Sequence, residues 1–142
     1  DCLLSRGLGD VYKRQEYIDQ IIEIYKENSW YAYLDDLTIL EKSIDNSLYI
    51  LGAFENDKLI GFIRCVGDGY HVVYIQDLII RPGYYRRSIG KNLYQKTSCK
   101  FKYVRQFLLI TDANDKVSNN FYRKMEMIEG NTEYPVRTYI RQ

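Results

Sequence analysis

Histidine, cysteine and net charge are scarce in this chain, and each scarcity excludes a class of site. The 142 residues include one histidine and three cysteines. Cys65 and Cys99 do not stand at a metal-ligand spacing, and one histidine cannot complete a zinc site. We therefore expect no bound metal. The formal net charge of +1 disfavours a nucleic-acid partner, because non-specific binding to nucleic acids depends on a basic surface.

Long apolar runs are also missing. No run approaches the roughly 20 residues that a helix needs to span a bilayer. The leucines near the start are too few and wrongly flanked for a secretory leader. These features predict a cytoplasmic protein with no membrane partner.

The remaining composition is typical of one globular domain. Apolar residues make up 46% of the chain and charged residues 27%, which is ordinary for a soluble protein, and the length suits a single core. Residues 1–15 show no sustained helical or strand period and look like a translated sequencing-adapter fragment. We therefore expect a non-native leader at 1–15 and the domain at 16–142, with a genuine disordered N-terminus as the alternative.

Hydrophobic spacing predicts alternating helices and strands in the order α-α-β-β-β-α-β-α-β. Ile18, Ile21 and Tyr25, for example, recur at helical spacing. Helices are predicted at 16–28, 34–45, 88–99 and 116–124, and strands at 48–54, 58–66, 72–80 and 105–111, with a terminal strand or hairpin through 136–140.

The segment from Val73 to Leu93 gives the strongest functional signal. A strand of β-branched residues is stopped by Pro82, and a short basic turn then opens into a helix. Such a turn leaves backbone N–H groups unpaired at the positive end of a helix, which attracts phosphate. Small residues at Ser88 and Gly90 let the backbone approach such a ligand closely. The segment predicts a site for a phosphorylated cofactor.

These residues resemble the acetyl-CoA-binding motif of the GNAT acyltransferases, which is Gln/Arg-x-x-Gly-x-Gly/Ala after a strand. Aligned on Gly90, the first position of the motif falls on Tyr85 and its first glycine on Ser88. Both positions depart from the usual residue of the family.

A second resemblance lies downstream, in residues 115–127. The family often shows Asn-x-x-Ala-x-x-Phe-Tyr-x-Lys-x-Gly-Phe there. This chain matches it at Phe121, Tyr122 and Lys124, while Glu126 replaces the glycine. The two motifs occur in the family's order, and the resemblance covers nearly all of the chain after the leader.

The resemblance implies an α/β (α+β) fold with a GNAT-like mixed central sheet flanked by helices, whose first strand is missing or replaced by the leader. It also implies transfer of an acetyl group from acetyl-CoA to a primary amine of a small molecule or a peptide, by direct attack on the thioester. Whether the chain forms a homodimer stays open. The alternative is a non-catalytic acyl-CoA-binding or regulatory module, because the fold alone does not guarantee activity.

The resemblance also implies where the cofactor binds. Backbone amides at the end of the strand would hold the pantetheine, and the turn with the helix start would hold the pyrophosphate. Arg86 and Arg87 would then face an anion, although solvated surface charges are the alternative. The implied cofactor-binding residues are Leu78, Ile79, Ile80, Tyr85, Arg86, Arg87, Ser88, Ile89, Gly90 and Lys91.

Tyr122 and Asp77 are the candidate catalytic residues. In the family, a tyrosine at the position of Tyr122 commonly protonates the departing thiolate, which suits a phenol of pKa about 10; burial in a core is the alternative. Asp77 interrupts an apolar strand. It is either a general base for the acceptor ammonium, as acids in this strand often are in the family, or a structural carboxylate paired with a backbone group or a tyrosine hydroxyl.

Trp30 and Tyr33 are the candidate acceptor-binding residues. They lie between the first two predicted helices, in a segment that forms part of the acceptor pocket in the family. An aromatic cluster that packs the joint between the helices is the alternative.

Overall fold

The computed structural model describes residues 3–8 and 13–141. Contacts divide the chain into two compact units, Asp1–Leu109 and Ile110–Gln142. The first unit contains, in chain order, β1 (Leu3–Gly7), α1 (Arg14–Glu27), a 3₁₀ helix (Tyr31–Leu34), α2 (Leu37–Asp45), β2 (Tyr49–Glu55), β3 (Lys58–Gly67), β4 (Val72–Ile80), a second 3₁₀ helix (Pro82–Tyr84), α3 (Ile89–Lys100) and β5 (Gln106–Leu108). The second unit contains α4 (Lys116–Lys124).

The sheet has the order β1-β2-β3-β4-β5. Neighbours are antiparallel except for β4 and β5, which are parallel. β5 pairs with β4 only over Val72–Tyr74, whereas β3 follows β4 as far as Ile80. The second half of β4 therefore extends beyond its parallel partner, on the edge that faces away from β3.

Aspartate side chains cap the N-termini of two helices. The Asp36 carboxylate accepts hydrogen bonds from the backbone N–H groups of Thr38 and Ile39 at 3.0 and 3.1 Å and so caps α2. The Asp115 carboxylate caps α4 by accepting from the Ser118 N–H at 3.0 Å.

The main core lies where helices cover the centre of the sheet. β3 is buried from Leu59 to Cys65, which requires cover on both faces because successive side chains of a strand point to opposite sides. α1 and α3 each contact this strand. The core cluster combines side chains of α1, α2 and the three central strands: Tyr17, Ile21, Ile24, Tyr25, Leu40, Phe54, Leu59, Phe62 and Ile79.

Most predicted elements are confirmed to within a few residues, and the mixed sheet flanked by helices is confirmed as the fold. The second predicted helix begins later than expected, because residues 31–34 form a separate 3₁₀ turn before the Asp36 cap. The strand predicted through 136–140 is wrong. These residues contain no strand and lie exposed, with Tyr139 89% and Ile140 83% accessible, and apolar β-formers need a partner strand to form a ladder.

The edge expected for a missing first strand is filled. Leu3–Gly7 pairs with β2 antiparallel, from Leu3 opposite Glu55 to Gly7 opposite Leu51, so these residues occupy that edge. Residues 1, 2 and 9–12 of the predicted leader lie outside the described residues. Whether residues 1–15 are native stays a prediction, since backbone pairing does not depend on the origin of a segment.

Candidate active site

A β-bulge in β4 shapes the centre of the candidate site. Arg64 lies opposite Asp77, but the next residue of β3, Cys65, lies opposite Ile75. Gln76 is therefore the extra residue of β4. Bulges re-aim side chains and are frequent near active sites. Gln76 and Asp77 would point to opposite faces of a regular strand, yet both reach the Tyr33 hydroxyl.

The Asp77 carboxylate is the hub of a buried hydrogen-bond network. Its Oδ2 accepts from Arg64 Nε and from the Tyr25 hydroxyl, both at 2.7 Å. Its Oδ1 accepts from the Tyr33 hydroxyl at 2.7 Å, and that hydroxyl oxygen accepts from Gln76 Nε2 at 2.9 Å. Asp77 is 1% exposed and Arg64 4%. A buried ion pair is tolerated when additional hydrogen bonds satisfy it in this way.

Burial and the Asp77 charge fix the protonation of the surrounding groups. Burial raises the pKa of Tyr25 and Tyr33, and the neighbouring carboxylate raises both further. Burial alone would lower the pKa of Arg64, but attraction to Asp77 more than offsets it. Burial also raises the pKa of the Cys65 thiol to about 12. Both tyrosines thus stay protonated at neutral pH, and their hydroxyls donate hydrogen bonds to Asp77.

Trp30 and Tyr33 lie in an aromatic stack beside this network. The Tyr25 ring stacks on Tyr33 with centroids 4.5 Å apart, and on Trp30 at 6.1 Å. Tyr25 is fully buried, Tyr33 is half-buried, and Trp30 is 39% exposed. The cluster does pack the joint after α1, and it also leaves Trp30 and part of Tyr33 accessible, so it is compatible with both interpretations made from the sequence.

The predicted phosphate turn contains two residues with an unusual backbone conformation. Arg86 and Ser88 are in the left-handed region, with φ of 66° and 59°, which non-glycine residues adopt rarely and mostly where structure demands it. No side chain of the described residues caps the start of α3, and its first turn has no acidic residue. The backbone N–H groups of this first turn lie at the positive end of the helix, and no cap from the described side chains accepts from them.

Arg81 and Tyr85 connect this turn to α1 and to Asn28, the residue that follows α1. The buried Arg81 pairs with Glu27 at 2.7 Å and Glu23 at 3.0 Å, both on α1. The Tyr85 hydroxyl donates to Asn28 Oδ1, and Asn28 Nδ2 donates to the Ile80 carbonyl at 3.0 Å. Tyr85, which stands where the family carries Gln or Arg, therefore supports the turn through its hydroxyl.

A third contact links the turn to β2. Glu55 Oε1 accepts from the Tyr84 hydroxyl at 2.8 Å, and Glu55 Oε2 lies 3.7 Å from Arg87 Nη1. The Arg87 guanidinium also lies over the Tyr84 ring, 5.0 Å from its centroid. Arg87 is thus already held by an anion of this chain, whereas Arg86 is exposed.

The other predicted cofactor-binding residues lie at the end of β4 and in the first turn of α3. Leu78, Ile79 and Ile80 form the part of β4 beyond its pairing with β5. Ile89 is buried, Gly90 is half-buried and Lys91 is exposed in the first turn of α3.

Tyr122 lies on α4 in the second unit. It is half-buried, and its ring meets that of Phe121 edge to face, with centroids 5.1 Å apart. Glu126, two residues after the end of α4, is in the left-handed region with φ of 66°. The N–H of Met127 reaches back to the Tyr122 carbonyl at 3.1 Å, the bond of a Schellman cap.

Sequence reasoning missed several members of the network. Arg64 interrupts the apolar run of β3 just as Asp77 interrupts that of β4, and two opposite charges in neighbouring apolar strands were a usable signal for a pair. Tyr25 gave no such signal, because its helical spacing already explained it as a core residue.

Neither a metal site nor a membrane helix is found in the described part of the chain. No group of three or more His, Cys, Asp or Glu residues there could hold a metal ion. No helix there combines the length and apolarity needed to cross a membrane.

Comparison with known proteins identifies the family. A model of the acetyltransferase (GNAT) family matches residues 15–127. An uncharacterized N-acetyltransferase ycf52-like protein of Prochlorococcus marinus is 37% identical over 79 residues, which are 51% of this chain and 44% of that protein. The aligned region thus spans less than half the length of this curated relative.

Solved structures show the same fold. A GNAT family acetyltransferase from Streptococcus pneumoniae is similar with a TM-score of 0.78 and 28% identity, over 99% of this chain and 97% of that one. The PaiA N-acetyltransferase from Thermoplasma acidophilum, in complex with coenzyme A, is similar with a TM-score of 0.64 and 23% identity, over 88% and 89%. The chain therefore belongs to the acetyltransferase (GNAT) family.

Proposed function

We propose that this protein transfers the acetyl group of acetyl-CoA to a primary amine by direct attack of the free amine on the thioester. The observation that carries the proposal is the start of α3, which follows two left-handed residues and has no side-chain cap among the described residues. α2 and α4 are both capped by aspartates, and α1, which has no side-chain cap among the described residues, carries Glu16 in its first turn, whereas the first turn of α3 has neither a cap nor an acidic residue. An uncapped helix start after a turn with two arginines suits the pyrophosphate of coenzyme A.

The adjoining strand suits the rest of the cofactor. Leu78–Ile80 extend beyond the pairing with β5, so backbone groups on that edge can bond the amides of the pantetheine. Arg86, Arg87 and Lys91 supply positive charge beside the turn. The residues present therefore fit acetyl-CoA at both of its polar parts.

The chemistry needs one bond to form and one to break. The amine nitrogen bonds to the thioester carbonyl carbon, the carbon–sulfur bond breaks, and the products are an amide and coenzyme A. We assign the proton donated to the departing thiolate to Tyr122, on the strength of the Phe-Tyr-x-Lys match. Proximity of the two substrates and polarisation of the carbonyl supply most of the acceleration. The acceptor also loses a proton, which passes either to Asp77, the candidate base from the sequence, or to water.

The cofactor assignment is tested by ligand-dependent melting. Acetyl-CoA at about 100 times its Kd should stabilise the native state by about 2.7 kcal/mol through mass action and raise Tm. Dephospho-coenzyme A should keep most of the increase because it retains the pyrophosphate, and pantetheine should keep little. Equal increases with pantetheine would remove the phosphate turn from the proposal.

Gly90→Val provides the matching variant. The added side chain lies at the start of α3, so it should reduce the Tm increase caused by acetyl-CoA more than it reduces the Tm of the free protein. The reverse pattern would make Gly90 a packing residue.

One rival function follows from the replaced motif residues. A non-catalytic acyl-CoA-binding module could retain the fold while losing the glycines at positions 88 and 126. Ser88 and Glu126 nevertheless keep left-handed backbone conformations, which is the property that a glycine provides there. This backbone suits the enzyme and the binding module alike; what favours the enzyme is the match at Tyr122, since a module that only binds needs no proton donor.

A further inference from the structure

The Asp77 carboxylate is poorly placed to accept a proton from a substrate. Its side chain is 0% exposed, and both oxygens already accept hydrogen bonds, one of them from a permanent cation, Arg64. A general base needs an accessible lone pair, and a fully buried carboxylate whose two oxygens already accept three hydrogen bonds does not offer one.

Of the two tyrosines that donate to Asp77, Tyr33 is the more accessible, and its hydroxyl also contacts the exposed side chain of Gln76. Tyr33 is half-buried, whereas Tyr25 is 0% exposed. The Tyr33 hydroxyl donates to Asp77 and accepts from Gln76, which leaves its oxygen one further acceptor position. Donation to a carboxylate polarises the phenol and makes its oxygen a stronger acceptor.

We propose that Asp77 is a positioning residue which, held by its ion pair with Arg64, fixes the Tyr33 hydroxyl as a hydrogen-bond acceptor for an N–H group of the acceptor amine. The inference rests on the proposed function, since it requires an amine substrate. It replaces the role of Asp77 as a base with a role in orienting the nucleophile, so that the nitrogen lone pair can face the thioester.

The two tyrosines offer a matched pair of variants. Tyr33→Phe and Tyr25→Phe each delete one hydroxyl that donates to the same carboxylate. Tyr33→Phe should raise the KM of the acceptor by about fivefold, the value of one hydrogen bond between neutral groups. The acetyl-CoA KM should change by less than about threefold. Tyr25→Phe should leave the acceptor KM within about threefold of wild type while lowering Tm at least as much, since its hydroxyl is the more deeply buried.

The pH profile separates positioning from a base role. The titratable and charged groups that face Asp77 are Arg64 and Cys65 on β3, Tyr25 on α1 and Tyr33 on the first 3₁₀ helix. All four have raised pKa values, so they keep their protons at neutral pH. The kcat/KM of Tyr33→Phe should therefore fall by the same factor at every pH. A loss in kcat concentrated at low pH, with the acceptor KM unchanged, would overturn the inference in favour of proton transfer through Tyr33 to Asp77.

Asp77→Asn is a weaker probe, because it leaves Arg64 buried beside a neutral partner, and loss of one member of a buried pair is strongly destabilising. Equal acceptor KM values for Tyr33→Phe and Tyr25→Phe would overturn the inference while leaving the proposed function intact. If the wild-type protein acetylates no amine at all, the proposed function fails first, and the inference fails with it.

Discussion

Ser88 and Glu126 occupy backbone conformations that favour glycine. For an L-residue the left-handed region costs roughly 1–2 kcal/mol, and these two positions are those where the family motifs have glycine. Both positions thus carry side chains that are strained in the backbone conformation they adopt. Replacing such a residue with glycine should therefore raise the free energy of unfolding.

Glu126→Gly should stabilise the protein by about 1 kcal/mol, because glycine adopts the left-handed cap without strain and because removal of an anion from a helix C-terminus relieves an unfavourable dipole interaction. The free energy of unfolding by urea measures the change. Glu133→Gly is the control, since Glu133 is exposed and is not among the positive-φ residues. A loss of stability in both variants would mean that the cap is not strained.

Tyr122→Phe tests the proposed acid. The substitution keeps the ring and its edge-to-face contact with Phe121, so the fold should survive. If the hydroxyl protonates the thiolate, kcat should fall by about 10²-fold or more, the usual contribution of a general acid, while the acetyl-CoA KM stays near its original value. An unchanged kcat would return Tyr122 to a packing role.

The turn between β4 and α3 depends on neighbouring elements for its shape. Arg81 anchors it to α1, Tyr85 to the residue that follows α1, and Tyr84 to the end of β2. Ordering the turn in advance lowers the entropic cost of binding a ligand. Glu55 has a second effect, because its charge competes with phosphate for Arg87.

Glu55→Gln should therefore bind acetyl-CoA more tightly. The amide oxygen can still accept from the Tyr84 hydroxyl, but the charge that attracts Arg87 is gone. An exposed ion pair is worth up to about 1 kcal/mol, so we expect Kd to fall by up to about fivefold in calorimetric titrations. Glu16→Gln, an equal change of charge on the exposed first turn of α1, is the control. Weaker binding by Glu55→Gln alone would show that the charge of Glu55 supports the cofactor site.

The elements themselves could be predicted from the sequence, because their burial follows a regular spacing. The sequence predicts the limits of α4 and β4 to the residue and those of the other confirmed elements to within a few residues, whereas the terminal strand at 136–140 is wrong. The β-bulge at Gln76 could not be predicted, since it exists only in the register of β4 against β3. The contacts of Asp77 were not predictable for the same reason: Tyr25, Tyr33 and Arg64 come from three different elements.

The sheet as a whole determines where the reaction can take place. The pairing of β4 with β5 ends at Tyr74. Asp77 and Leu78–Ile80 lie in the part of β4 beyond this point, and the turn into α3 follows it in the chain. We propose that acetyl transfer takes place at this part of the sheet. The acceptor could not be predicted, since the side chains that contact it have no transferable pattern.

Turnover is the most direct test of the central claim. Release of free thiol from acetyl-CoA should be measured against polyamines, amino acids, aminoglycosides, arylalkylamines and peptide N-termini, with the acetylated product identified by mass spectrometry. We predict thiol release that depends on one class of primary amine, with one acetyl group transferred per thiol released. Saturable binding of acetyl-CoA without release above the amine-free rate for any acceptor would contradict the account and favour the non-catalytic module.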